Sequence, residues 1–254
     1  RLGPGDGVRS SWADIDRVLA EQPGSIWIVG NEPDVGVQDN LTPATYARLY
    51  HEVYTYLKTR DPGALVAVAG VAQPTPLRLA YLDAVLDAYR QAYGAPMPVD
   101  IWTVHAFILR EETGGWGVGI PPGMGGAGAR LYEVADHGRI NILQKNIVDF
   151  RAWMAARGYQ DRPLAVTEYG ILMPHDYGYP PEAVAAFMTA SFDFFLNAAN
   201  GTGCPADGNR LVQWWVWFSL FEREEGYATG NLVNPETQQL TPLGQTFAAY
   251  VNGR

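Results

Sequence analysis

The chain has 254 residues, 47% of them hydrophobic, and a formal net charge of −9. So acidic a surface excludes nucleic acid and anionic membrane as partners, since both demand a basic face, and it leaves a neutral ligand. The one cysteine, Cys204, excludes a disulfide framework and a cysteine-based metal site. No apolar run reaches the roughly 18 residues of a membrane span, and no secretory leader stands at Arg1. The opening Arg1-Leu-Gly-Pro-Gly-Asp-Gly7 reads as a processed or truncated start.

The first expected element is a helix capped by Ser10 or Ser11 and running to about Glu21, with Trp12, Ile15, Val18 and Leu19 on one face. Gln22-Pro-Gly24 ends it, and Ser25-Ile-Trp-Ile-Val-Gly-Asn-Glu-Pro-Asp34 follows as a buried strand emptying into a polar turn. Thr42-Pro43 then supplies an N-cap and a first-turn proline. Tyr46, Leu49, Tyr50, Val53, Tyr54 and Leu57 recur at helical spacing as far as Arg60.

Asp61-Pro-Gly63 leads into a second strand, 64–70, with Gln73 just beyond it, and Pro76 opens a further helix. Asp100–His105 reads as a third strand. The glycine-rich stretch from Ile108 to about Gly138 reads as a lid or mobile loop, because structureless connections of that length are uncommon in compact domains. A helix over about 141–157, a fourth strand Pro163–Glu168 and a helix from Pro181 come next. A turn region spans 201–209, a fifth strand 211–218, and a last helix starts near Thr241. Alternation of strand and helix predicts a parallel sheet with right-handed crossovers.

Two of these strands end in glutamate, Glu32 and Glu168. Carboxylates at the C-terminal mouth of parallel strands converge on one crevice. Glycosidic cleavage needs such a pair, one carboxyl protonating the leaving oxygen while the other attacks the sugar or activates water. An aromatic share of 12%, with 8 Trp and 14 Tyr, suits the flat faces of sugars, although most of these rings are expected to fill the core.

Asn31-Glu32-Pro33, Thr167-Glu168-Tyr169-Gly170 and Trp215-Val-Trp-Phe-Ser219, each after a strand, resemble the clan A retaining glycoside hydrolases. Gly230-Asn-Leu-Val and Leu240-Thr-Pro-Leu-Gly-Gln-Thr-Phe247 resemble the closing segment of those enzymes. The resemblance implies a (β/α)8 TIM-barrel-like α/β fold in a single domain over 1–254, with catalytic acids on strands four and seven. It makes Glu32 the general acid/base, Glu168 the nucleophile and Asn31 the partner of the sugar 2-hydroxyl. His105 stands near the nucleophile, and Trp217 lies under the sugar with Trp215 as the alternative. His105 or Tyr169 would donate to Glu168, and Gln73 is a further mouth-side binding candidate. An oligo- or polysaccharide substrate, no cofactor, no metal and a secreted or cell-surface location are implied.

Other readings compete at several positions. His105 suits an ordinary core hydrogen bond, Trp214 and Trp215 suit packing, and Glu111, Glu112, Trp116 and Glu222 read as solvated loop residues. His51-Glu52 lacks the second histidine of a zinc-protease motif.

Only about five βα units are recognisable, which would be strands four to eight, with Arg1-Leu2 as a stub of the third. The missing strands are therefore expected to lie upstream in a fuller polypeptide, to come from a second chain or a homo-oligomer, or to be dispensed with by a fold that closes without them. An open remnant would leave bare strand edges and an exposed apolar interior. The alternative function is a catalytically inactive carbohydrate-binding or cell-surface interaction module.

Overall fold

A computed structural model describes residues 2–3, 7–8, 10–223 and 225–253. They form an α/β fold of six helices and parallel strands, preceded by a hairpin. In that hairpin β1 (Leu2–Gly3) pairs antiparallel with β2 (Gly7–Val8). The expected stub of a parallel strand at Arg1-Leu2 is thus one arm of a hairpin, and Arg1 itself lies outside the described residues.

The chain divides into two compact units. The first comprises Arg1–Val104, Arg110–Arg130 and Arg162–Ala165, and the second His105–Leu109, Leu131–Asp161 and Val166–Arg254. Strands β5 (Trp102–His105) and β6 (Leu164–Glu168) start in the first and end in the second.

In the first unit, α1 (Trp12–Glu21) starts where the Ser11 hydroxyl accepts from the Asp14 amide. β3 (Ile26–Val29) and β4 (Leu65–Val68) pair in parallel, with Ile28 opposite Ala67. Helix α2 (Pro43–Arg60) has the expected Thr42 cap and first-turn proline, and its stripe of Tyr46, Leu49, Tyr50, Val53 and Leu57 is buried. Helix α3 (Pro76–Tyr93) buries Leu77, Tyr81, Leu82, Val85 and Tyr89 and closes on Gly94 in a left-handed cap. On the same buried face lies Arg78, fully enclosed. β4 bridges in parallel to Ile101 at the start of β5. β3 is the outer strand of its sheet, and Ile26 and Ile28 are exposed on it.

In the second unit, α4 (Ile140–Ala156) and α5 (Pro181–Asn197) bury Phe150, Met154, Phe187, Phe192 and Phe195. α6 (Pro242–Asn252) is capped by Thr241. The 201–209 stretch, read as a turn, contributes strand β7 (Ala199–Cys204). Its Gly203 is required by close approach, because a Cβ there would collide with the Asn209 carbonyl. The expected strand 211–218 shrinks to β8 (Trp214–Trp215). Side chains hold the residues before it: Arg151 donates to the Leu211 carbonyl and to Gln213, whose amide nitrogen reaches Asp207 at 3.0 Å. β8 is the outer strand of the order β5-β6-β8, with Trp214 exposed on it and Val216 exposed just beyond it. Among the described residues no helix is long and apolar enough to cross a membrane.

Candidate active site

The Glu32 centre lies in the first unit. β3 delivers the chain into Gly30, whose φ of 100° suits only glycine. Two residues later Glu32 itself adopts a left-handed conformation, φ 45°, which is uncommon for a residue with a side chain. Its amide donates to the Gly70 carbonyl at 3.1 Å and its carbonyl accepts from Val35 at 3.1 Å, so the turn is pinned on both sides. The Asn31 amide donates to Asp39 Oδ2 at 2.7 Å. Beneath the turn, the Tyr46 hydroxyl donates to the Val29 carbonyl at 3.0 Å and accepts from the Ala69 amide at 2.8 Å, stapling the ends of β3 and β4 together. Burial raises the Tyr46 pKa, which keeps the phenol protonated.

Strained backbone of this kind persists where the surroundings over-determine it. A variant pair isolates the strain: Glu32→Gly is expected to unfold about 1 kcal/mol harder than Glu32→Ala, since both lose the carboxylate and only alanine resists φ 45°. Equal urea midpoints would contradict it.

Asp34, two residues on, is fully buried. Arg78 Nε donates to its Oδ2 at 2.6 Å and the Ala72 amide at 3.3 Å. Burial lifts its pKa to about 6, opposed by the Arg78 guanidinium and reinforced by the negative charge of Glu32. Arg78 also donates to Glu111 Oε1, which accepts from the Thr75 hydroxyl as well. Glu111, read from sequence as solvated, is therefore a buried ion-pair partner, 1% exposed. Gln73 is fully buried.

The Glu168 centre lies in the second unit. β6 carries its last residue, Glu168, in a parallel ladder in which the Ala106 amide donates to the Glu168 carbonyl at 2.9 Å. His105 Nε2 stands 3.6 Å from Glu168 Oε1, beyond hydrogen-bond length but within reach of a strong electrostatic contact with a protonated imidazole. His105 is 2% exposed, whereas about a third of the Glu168 side chain is open (32%). The Phe107 ring meets His105 edge-on at 6.2 Å and the half-buried Phe218 edge-on at 6.0 Å, so Phe107 stands between His105 and Phe218.

Other candidates go elsewhere. Tyr169 is fully buried, its hydroxyl accepting from Ser191 at 3.1 Å and its ring against Phe195 and Trp217. Trp217 is buried too, its indole N–H donating to the Gly230 carbonyl at 2.8 Å. Trp215 packs on Phe192 and Phe195 and lines an apolar cleft of about 490 Å3 whose walls include neither His105 nor Glu168. Both rings pack on α5, Trp215 against Phe192 and Phe195 and Trp217 against Phe187, and Val216 lines the same cleft. The motif glycines also find their reason. A Cβ at Gly170 would lie 2.7 Å from the Phe218 carbonyl oxygen, and one at Gly230 would collide with the same oxygen. Gly170→Ala is accordingly expected to lower stability by about 1–3 kcal/mol through overpacking, read by urea denaturation.

Sequence reasoning passed over His137. It is buried, with one ring nitrogen 2.8 Å from the Ile108 carbonyl and the other accepting from the Leu172 amide at 2.9 Å. It thereby ties the loop after β5 to the loop after β6. Burial depresses its pKa to about 4, opposed by the hydrogen bond to Ile108, so the ring is neutral near pH 7.

These elements define an α/β fold that matches TIM-barrel glycoside hydrolases. One similar structure is a GH128 subgroup II endo-β-1,3-glucanase from Sorangium cellulosum, at 18% identity over 98% of this chain and 78% of that one, TM-score 0.60. Another is a GH128 subgroup III curdlan-specific exo-β-1,3-glucanase from Blastomyces gilchristii in complex with glucose, at 18% identity over 97% and 78%, TM-score 0.62. A hyperthermophilic endo-β-1,4-glucanase in complex with substrate matches at 15% identity over 96% and 64%, TM-score 0.50. No protein-family model matches the sequence, and no curated protein does.

Proposed function

We propose that the protein is a retaining glycoside hydrolase acting on β-linked glucan, with Glu32 as general acid/base and Glu168 as nucleophile. The observation that carries this reading is a glutamate at the C-terminal end of each of two parallel strands: one in a pinned left-handed turn, the other one-third open beside a buried histidine. In this reading Glu168 attacks the anomeric carbon while Glu32 protonates the leaving oxygen, and Glu32 then draws a proton from the water that releases the glycosyl group. Asn31 holds the 2-hydroxyl, and His105 orients Glu168. Phe218 is the ring offered to a sugar face, because Trp217 is buried and Trp215 packs on Phe192 and Phe195 of α5. The β-glucan class is taken from the named activities of the structural neighbours.

The test is hydrolysis of a panel of β-1,3- and β-1,4-glucans followed by NMR of the first-formed anomer. Retention, with carboxyl groups about 5 Å apart in a crystal structure, supports the reading; inversion, or a separation of about 9 Å, overturns it.

The exposed faces of β3 and β8 favour a second reading, an inactive glycan-binding module or a barrel completed by another chain or a second copy. Glycan binding without turnover in a monomeric chain selects the binding module. Turnover that tracks dimer formation in light scattering selects completion by a second copy.

A further inference from the structure

Residues 110–130 lie within the stretch from Ile108 to about Gly138 that reads in sequence as a lid or mobile loop, yet they are fastened. Arg78 Nη2 donates to the carbonyls of Val118 and Gly119, each at 3.3 Å. Glu111, held by Arg78 Nη1, accepts from the Arg130 amide at 2.6 Å while its own amide donates to the Arg130 carbonyl at 3.0 Å. The two ends of the loop and its middle thus meet on one guanidinium. The loop also doubles back on itself: the Val118 amide donates to the Arg110 carbonyl at 3.1 Å, and a Cβ at Gly117 would collide with that carbonyl. Further along it presses on the helix starts. A Cβ at Gly123 would lie 3.3 Å from the Thr42 side chain, and one at Gly128 3.2 Å from the Leu77 amide nitrogen. Half-buried Trp116 sits within this tied segment.

The remaining arm of the same guanidinium, Nε, holds Asp34, two residues from Glu32. Enclosing one cation with two carboxylates is costly in desolvation, and such groups are retained where geometry matters more than net stability. A planar fork with donors in three directions does this, and a lysine cannot.

We propose that Arg78 is a positioning residue that fixes the 110–130 loop, with Trp116 on it, as a standing wall beside the Glu32 turn and so sets the grip on sugar units beyond the cleaved bond. The inference rests on the glycosidase reading for its ligand, not for its mechanics. A preformed wall spares the ordering cost that a mobile lid charges on each binding event.

The test uses the whole chain, with β-1,3- and β-1,4-gluco-oligosaccharides of two to six units as probes. In Arg78→Lys, hydrogen exchange of the amides over 112–129 is expected to quicken at least tenfold. KM, or Kd by calorimetry where turnover is absent, is expected to rise about tenfold for six units and less than twofold for two, with kcat within twofold. Trp116→Ala should reproduce the length-dependent loss with exchange over the rest of the loop unchanged, and the double variant should be no worse than Arg78→Lys alone. Should Arg78→Lys not fold, Glu111→Gln carries the same expectations, since it frees the same loop ends. Unchanged loop exchange in the variant that folds overturns the proposal, as does additivity of the two substitutions. Turnover surviving in Glu168→Gln would instead overturn the glycosidase reading and leave the exchange result to decide the role of Arg78.

Discussion

Glu168→Gln and Glu32→Gln are each expected to lower release of reducing sugar from polymeric β-glucan by about 10³-fold or more, with the folded state intact. Glutamine keeps the volume and one acceptor oxygen of the carboxyl, so neither substitution opens a cavity. The two losses should differ in kind. In the proposed mechanism the Glu168 variant cannot form the glycosyl-enzyme bond with any leaving group. The acid/base variant lacks only proton donation, so an aryl glycoside whose phenolate leaves unaided should still give a burst of phenol, followed by slow hydrolysis for want of a base. Burst kinetics with a nitrophenyl glycoside separate these roles. A burst from Glu168→Gln and none from Glu32→Gln would exchange the assignments, and full activity in either variant would remove it from the mechanism.

Much of the fold was legible because its signals are local. Thr42-Pro43 and the stripe after it describe a helix that needs no tertiary information, and the structure gives Pro43–Arg60. The same holds for the β-branched strand that ends at Val29 and for the strand that ends at Glu168. What was missed depended on partners distant in sequence. β7 was hidden by an Asn-Gly-Thr-Gly composition in which Gly203 serves a close approach to Asn209 rather than a turn. Glu111 looked solvated because Arg78, its partner, is 33 residues away. The available signal was Arg78 itself, a charged residue beside Leu77 and Leu82 on the buried side of α3, where an unpaired cation could not remain. Parity could not say that Trp215 and Trp217 would both pack on α5, because that depends on Phe187, Phe192 and Phe195 of a different element.

Asp34 and His137 make opposite demands on pH, and together they are expected to hide one another in the wild type. Asp34 is fully buried against Arg78, with the Ala72 amide on the same oxygen and the charge of Glu32 and the phenols of Tyr46 and Tyr81 close enough to act on it or be acted on by it. Its pKa rises on folding from 3.8 to about 6. Between those values the folded chain holds a proton that the unfolded chain has lost, so this contribution is present at low pH and disappears as pH rises to 6. His137 falls on folding from 6.5 to about 4, so over that window the unfolded chain holds the extra proton, and stability is lost as pH falls. Each shift corresponds to about 3 kcal/mol, with opposite sign over nearly the same range. The sum of the two is close to flat from about pH 4 to 6. Removing one exposes the other: Asp34→Asn should gain stability with rising pH by about 1.4 kcal/mol per unit relative to wild type, and His137→Gln should lose about as much. Glutamine can both donate to the Ile108 carbonyl and accept from the Leu172 amide, so the loop tie survives and the pH slope isolates the proton. Urea unfolding of the three proteins at pH 4, 5, 6 and 7 reads these slopes directly. Slopes that move together in both variants, or not at all, would mean that neither buried group changes its protonation on folding.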